Sequence, residues 1–324
     1  MKTKGSFLTA LFISFLCSAQ SIEKFSIDSG GASTTSGGIN ILYTIGEVNI
    51  QELNTGNIKI SEGFINSNMK IKIDPKLFLQ GPLLNPVSAG LMNDDLRQNA
   101  YIPTTSPYPD AVTCNASVFN VVGPNAIVDW VWIELRAAND NQKLINGKSA
   151  LLQRDGDVVA LDGFSNVIMT AAPTTYYVVV KHRNHLGAMS AATIALNETS
   201  PTVVDFTNSG FSTYGLNAQV VLGSGVTALW TGNTNNTNYI RFSGANNDSN
   251  AIKDYILSDP ANGFGSVTFS SSGYLNTDLN LNGIAKFSGS GNDSNLIKDN
   301  VLAHPSNGFG TPTFTIQATV PPQN

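Results

Sequence analysis

DWVWIELR, residues 129–136, is the stretch that decides the fold class. Along an extended chain successive side chains point to opposite faces, so Val131, Ile133 and Leu135 share one side while Trp130, Trp132, Glu134 and Arg136 share the other. The neighbouring sequence repeats the signal. SALLQRDGDVVAL, residues 149–161, reads as a hairpin turning at Asp155-Gly156, a pair that accepts the positive φ of a tight turn. TYYVVVKH at residues 175–182 and PTVVDF at residues 201–206 read as further strands. Several short strands with turns between them predict a mainly β protein with a central β-sandwich over residues 71–208.

Ahead of this region, ILYTIGEVNI and IKISEGFI alternate between Gly- and Ser-rich turns, predicting a small N-terminal β unit over residues 20–70. Residues 1–19 read as an export signal peptide, with Lys2 and Lys4, an apolar run over residues 7–17, and Cys17-Ser18-Ala19 as the cleavage site. The apolar run is too short to span a bilayer, so no membrane insertion is expected and the chain reads as secreted or displayed at the cell surface. Cleavage leaves Cys114 as the lone cysteine, which excludes an internal disulfide and reads as a small buried hydrophobe. With 23 acidic against 18 basic residues and no basic run, the chain has no means of neutralising phosphates, so nucleic acid is excluded as a partner. Charged residues make up only 13% of the chain, which suits a turn-rich extracellular surface.

Residues 209–324 carry an internal repeat. FSGANNDSNAIKDYIL from Phe242 recurs as FSGSGNDSNLIKDNVL from Phe287, and PANGFGSVTF from Pro260 recurs as PSNGFGTPTF from Pro305, a spacing of 45 residues in both cases. The expected unit is a duplicated loop-helix module. In the second copy Asp278, Asn280 and Asn282 alternate ahead of Gly283, so their oxygens and the carbonyl of Ile284 can converge on Ca2+. The bidentate glutamate of an EF-hand is missing, Gly289 standing in its place, and Asp293 at the start of the following helix is the candidate replacement. The aligned positions of the first copy are Asn233, Asn235, Thr237, Tyr239 and Asp248, with one carboxylate instead of two and a lower expected affinity. The same acids also suit helix caps, and the Asn-rich stretches suit turns.

Two other groups are candidate ligand contacts. Trp130 and Trp132 could stack on sugar rings from one strand face. NDDLR, RDGD and HRNH concentrate charge, and among these Arg154, Asp157, Arg183 and His185 could hold a polar ligand if their loops meet; an internal ion-pair network explains them as well. His182 and His185 lack the spacing and intervening glutamate of a zinc peptidase, and on a continuing strand they would face opposite sides, so a turn with satisfied histidines is the better reading. No nucleophile elbow, phosphate loop or dinucleotide fingerprint occurs, and no catalysis is expected.

YTIGEV, EGFIN, FLQG, GLMNDDLR, NAIVDWVWIELR, SALLQRDGDVV, KHRNHLG and the two FSG segments together resemble a family of secreted, hemagglutinin-like proteins of flavobacteria and other Bacteroidetes. The resemblance implies dockerin-like calcium loops, which adds Asn292 in the second copy and Asn247 in the first to the residues above. It also implies an adhesin that recognises a glycan or a cell-surface protein without catalysis. A structural or scaffold subunit of an extracellular assembly and a polysaccharide-active hydrolase are the alternatives.

Overall fold

The computed structural model describes residues 69–324 throughout and, ahead of them, the backbone of residues 30–36, 39–45, 51–55 and 58–62. The export signal read at residues 1–19 lies outside the described residues. The chain divides into two compact units, residues 1–68 and 69–324. In the first, β1 (Gly30–Ser36) pairs antiparallel with β2 (Ile39–Ile45), and β3 (Gln51–Thr55) pairs with β4 (Ile58–Glu62). The regions read as residues 71–208 and 209–324 both fall within the second unit, which is mainly strand with little helix.

The second unit opens with β5 (Lys70–Lys76) and two short helices, α1 (Gln80–Leu83) and α2 (Asp95–Gln98). There follow β6 (Ile127–Ala137), β7 (Asp140–Gln153), β8 (Val158–Val159), β9 (Val167–Thr170), β10 (Thr175–His182), β11 (His185–Met189), β12 (Ile194–Ala195) and β13 (Thr202–Asp205). One sheet runs β11-β10-β6-β7-β8, with β12 also on β10; a second runs β13-β5-β9, in which β13 and β5 are parallel. The turn between β7 and β8 lies at Asp155-Gly156, where Gly156 takes φ 93°. Ile71, Val167 and Val204 of the smaller sheet join Val131, Ile133 and Leu135 of the larger in one apolar core.

The opposite face of β6 is covered as well. Trp130 is fully buried, its Nε1 donating to the Pro103 carbonyl at 2.8 Å, while Trp132 is half-buried. An exposed tryptophan pair therefore does not form. The reason is the irregular segment around residues 101–113, which lies over this end of the strand and also brings the Tyr108 hydroxyl to the Trp130 carbonyl at 3.3 Å.

After the hairpin β14 (Val220–Leu222) and β15 (Val226–Ala228), the repeat contributes β16 (Tyr239–Arg241), α3 (Asp248–Ser258), β17 (Ser270–Ser272), β18 (Ile284–Lys286), α4 (Asp293–Ala303) and β19 (Thr315–Gln317). Pairing crosses between copies: β16 of the first pairs with β19 of the second, and β18 of the second with β17 of the first. Equivalent residues meet where the helices begin, Ser249 Oγ lying 2.6 Å from Ser294 Oγ. A second apolar core forms here from Ile240, Ile252, Ile256, Ala285, Ile297 and Val301 among others. Neither copy can close a core alone, and exchanging strands buries both together.

Polar side chains tie this core to the larger sheet. Asn184 in the β10–β11 turn donates to the Asp278 carbonyl at 2.7 Å, and the amides of Gln80 and Asn300 pair at 2.7 and 2.8 Å. Gly81 is required where α1 meets the second loop, since a Cβ there would lie 1.9 Å from the Leu279 carbonyl oxygen.

Candidate functional site

The two copies build their loops on the same hydrogen-bond frame. Asp293 accepts from the N–H groups of Leu279 and Lys286, both at 2.8 Å; Asp248 accepts from the equivalent N–H groups of Thr234 and Arg241 at 2.9 and 2.8 Å. Asn292 and Asn247 cap α4 and α3 by accepting from Asn295 and Asn250. The aspartate beginning each helix therefore does not cap it. It holds the loop in front of it, and the preceding asparagine is the cap.

In the second copy Asp278 accepts from Gly283 N–H at 2.7 Å and Asn282 N–H at 3.1 Å, while Asn282 accepts from Ile284 N–H at 2.8 Å. Asp278 and Asp293 are both fully buried. Burial pushes both carboxyls up, Asp278 to about 8 with a further contribution from the charge of Asp293, and Asp293 to about 7. Two neighbouring buried acids favour protonation or a cation. Asp278, Asn280, Asn282, Asp293 and the Ile284 carbonyl form an all-oxygen set of the type that suits Ca2+. Among the described residues no group of three or more His, Cys, Asp or Glu gathers in metal-holding geometry, so amide and carbonyl oxygens would have to complete this site.

The first loop differs in two ways. Its one acid, Asp248, is raised by burial to about 6. The Thr237 hydroxyl lies 2.8 Å from Asn235 Oδ1 and 3.0 Å from the Tyr239 carbonyl, so the loop oxygens, with Asn233 nearby, close on a hydroxyl. With one carboxylate where the second loop has two, this donor set would hold a divalent cation less tightly.

The histidines flank a turn, His182 ending β10 and His185 beginning β11. The β10–β11 hairpin reverses at Arg183-Asn184, which brings the Nδ1 atoms of His182 and His185 within 2.9 Å. His182 Nε2 and Arg183 Nε both reach Asp129 Oδ2 at 3.0 Å, and the Tyr274 hydroxyl donates to Asp129 Oδ1 at 2.6 Å. Burial would raise the Asp129 carboxyl, but Arg183, His182 and Tyr274 outweigh it and hold the group near about 2. Burial also lowers both histidines below the usual imidazole range. This is a buried ion-pair network linking the larger sheet to the second loop.

Next to it lies a groove of about 860 Å³. Trp132 packs against Gly147, and the Tyr108 and Trp132 ring centroids are 5.8 Å apart. Glu134 accepts from Trp132 Nε1 at 3.0 Å, from Lys181 Nζ at 2.5 Å and from Arg136 at 2.9 Å. Arg183 and His185 line the groove, as do Asn236 and Asn238 of the first loop. Residues 318–323 run along one side, with the Pro321 carbonyl accepting from Arg136 Nη1 at 2.6 Å and Gln323 donating to Glu134 at 2.8 Å.

The proposed convergence of three charged loops is therefore only partial. NDDLR and RDGD meet, since Asp94 pairs with Arg97 at 2.6 Å and approaches Arg154 at 3.6 Å. Arg154 also donates to the Met92 carbonyl and Asp157 pairs with Lys76, so neither lines the groove. Of the six ligand-contact candidates, Trp132, Arg183 and His185 reach it; Trp130, Arg154 and Asp157 are engaged elsewhere. Tyr108, Gly147 and Lys181 were not legible beforehand. Tyr108 lies in a segment without periodicity, and Lys181 comes beside Trp132 only through the β10–β6 register. Cys114 packs against the core, and burial pushes its thiol up.

Comparison with protein-family models, with curated proteins and with solved structures gives no match.

Proposed function

We propose that this chain is an exported, non-catalytic binding protein of the adhesin or hemagglutinin type, which takes a glycan into the Trp132 groove and Ca2+ into the second loop. In this reading the six- and three-stranded sheets are the layers of a β-sandwich and the crossed repeats form a calcium-stabilised module beside it. The carrying observation is the groove. An aromatic pair able to stack on a sugar face shares its lining with charged and amide groups able to bind hydroxyls. Calcium would hold Asp278 and Asp293 ionised and stiffen the loop tied through Asn184 to the β10–β11 turn. Among the described residues no helix is long and apolar enough to cross a membrane.

The test is a glycan array read with calcium and with a chelator. A saccharide hit that Trp132→Ala removes supports the reading; silence of the array, or a hit indifferent to Trp132, sinks it. A scaffold role is favoured by one observation. Phe264 and Phe309 occupy equivalent repeat positions, and both are fully exposed on turns braced by Asn262 and Asn307. Recovery of a protein partner lost in the Phe264→Ser, Phe309→Ser double variant would favour that second reading.

A further inference from the structure

A separate cavity of about 430 Å³ opens beside the second loop. Asn85 and Asn93 come to it from the segment after α1, Asn280 and Asn282 from the loop, and Asn292 and Asn295 from the start of α4. Leu84 and Leu296 add small apolar patches, Asp95 is its one charged residue, and no aromatic ring lines it.

Two of these six amides are used up in building the wall. Asn93 accepts from Val87 N–H at 2.9 Å and donates to the Asn85 carbonyl at 3.0 Å; Asn292 accepts from Asn295 N–H and donates to the Gly289 carbonyl at 2.6 Å. Asn280 and Asn282 are fixed through their oxygens, which accept from the N–H groups of Asn282 and Ile284. The remaining groups are free among the described residues: the NH2 groups of Asn280 and Asn282, both ends of the Asn85 and Asn295 side chains, and the Asp95 carboxylate. The cavity thus has a rigid rim with donors and acceptors interspersed.

That combination selects a ligand class. An anion would meet the Asp95 carboxylate here, with no cation in the lining. An apolar or aromatic ligand would strip water from amides without replacing their hydrogen bonds. Neighbouring hydroxyls, each both donor and acceptor, match free amides on a fixed frame, and the leucine patches suit the C–H faces of a sugar. We propose that this cavity is a second binding site, for a neutral saccharide, and that it is coupled to the second loop because Asn280 and Asn282 belong to both. The coupling rests on the calcium reading; the site itself does not.

The test uses the full chain and a panel of neutral methyl glycosides of the gluco, galacto, manno and N-acetylgluco series, with galacturonate as the charged control, followed by titration calorimetry and ligand-observed NMR. The expected result is saturable binding of at least one neutral glycoside and none of galacturonate. Asn85→Ala with Asn295→Ala, both exposed positions that leave the loop untouched, should weaken that binding roughly tenfold or more. Trp132→Ala should leave it unchanged, and chelation should weaken it by about fivefold or more if the loop takes calcium. Silence across the panel overturns the site. So does binding lost in Trp132→Ala but retained in the double asparagine variant, which assigns the sugar to the groove and leaves the proposed function standing. Binding that needs the two asparagines but ignores chelation keeps the site and rejects the coupling.

Discussion

Asp278 is the acid by which the two loops differ, Asn233 standing in its place in the first copy, and it lies beside Asp293, which Asp248 matches. The Asp278 and Asp293 carboxyls are raised by burial, to about 8 and about 7. An acid with a higher pKa folded than unfolded stabilises the folded state most at low pH, and that contribution is lost as pH rises through the folded value. The window here runs from the ordinary aspartate value of 3.8 up to about 8. In chelator, the melting temperature should fall by roughly 5 °C or more between about pH 5 and about pH 8. If the loop takes calcium as proposed, millimolar calcium should abolish the fall by holding the pair ionised; a flat profile in chelator would show that burial exerts no such strain. The first loop supplies the converse experiment. Gly283 takes φ 83° where Asn238 does not adopt a positive φ, and Asn233 and Thr237 replace an acid and an amide. Changing Asn233→Asp, Thr237→Asn and Asn238→Gly together should add one equivalent of bound calcium by titration calorimetry. An unchanged stoichiometry would mean that the loop backbone, and not these three side chains, decides occupancy.

At the scale of elements, β6 shows where sequence periodicity is informative. Its alternation put Val131, Ile133 and Leu135 on one face, and that face lies in the core. It could not tell that residues 101–113 would cover Trp130, because contacts between distant segments leave no period in either. The repeat was legible for the opposite reason: its two copies share residues at one fixed spacing, and the structure uses that equivalence in the Ser249–Ser294 contact and the crossed strands. The groove was legible only at Trp132, Arg183 and His185. Its remaining parts depend on strand register and on Gly147, a residue without chemistry of its own. A Cβ at Gly147 would lie 2.3 Å from Trp132 Cζ2, so the indole occupies the space of a side chain on the neighbouring strand. Gly147→Ala should displace the ring, lower stability by about 1–3 kcal/mol, and reduce binding of any array-identified glycan as strongly as Trp132→Ala does. Full retention of binding would show that the ring position over β7 does not matter.

Across residues 69–324 as a whole, two apolar cores meet at Val220 and are also joined by polar groups, which transmit strain differently from apolar contacts. An apolar interface tolerates small shifts, whereas a buried hydrogen bond is either made or leaves a desolvated partner. Asn184 makes two such bonds from one side chain, to the carbonyls of Asn276 at 3.2 Å and Asp278 at 2.7 Å, immediately beside the Arg183–Asp129 pair. Ordering of the second loop is therefore felt at the β10–β11 turn and, through it, in the larger sheet. Calcium should raise the melting temperature of both cores together, with hydrogen-exchange protection increasing in β6 and β10 as well as in α3 and α4. Asn184→Ala should destabilise the protein by about 2 kcal/mol, from the two carbonyls left without a donor. More tellingly, it should confine the calcium-dependent protection to the repeats while calcium stoichiometry stays the same. Protection that still reaches β6 in this variant would place the coupling in another polar bridge, such as the Gln80–Asn300 pair or the Tyr274–Asp129 bond.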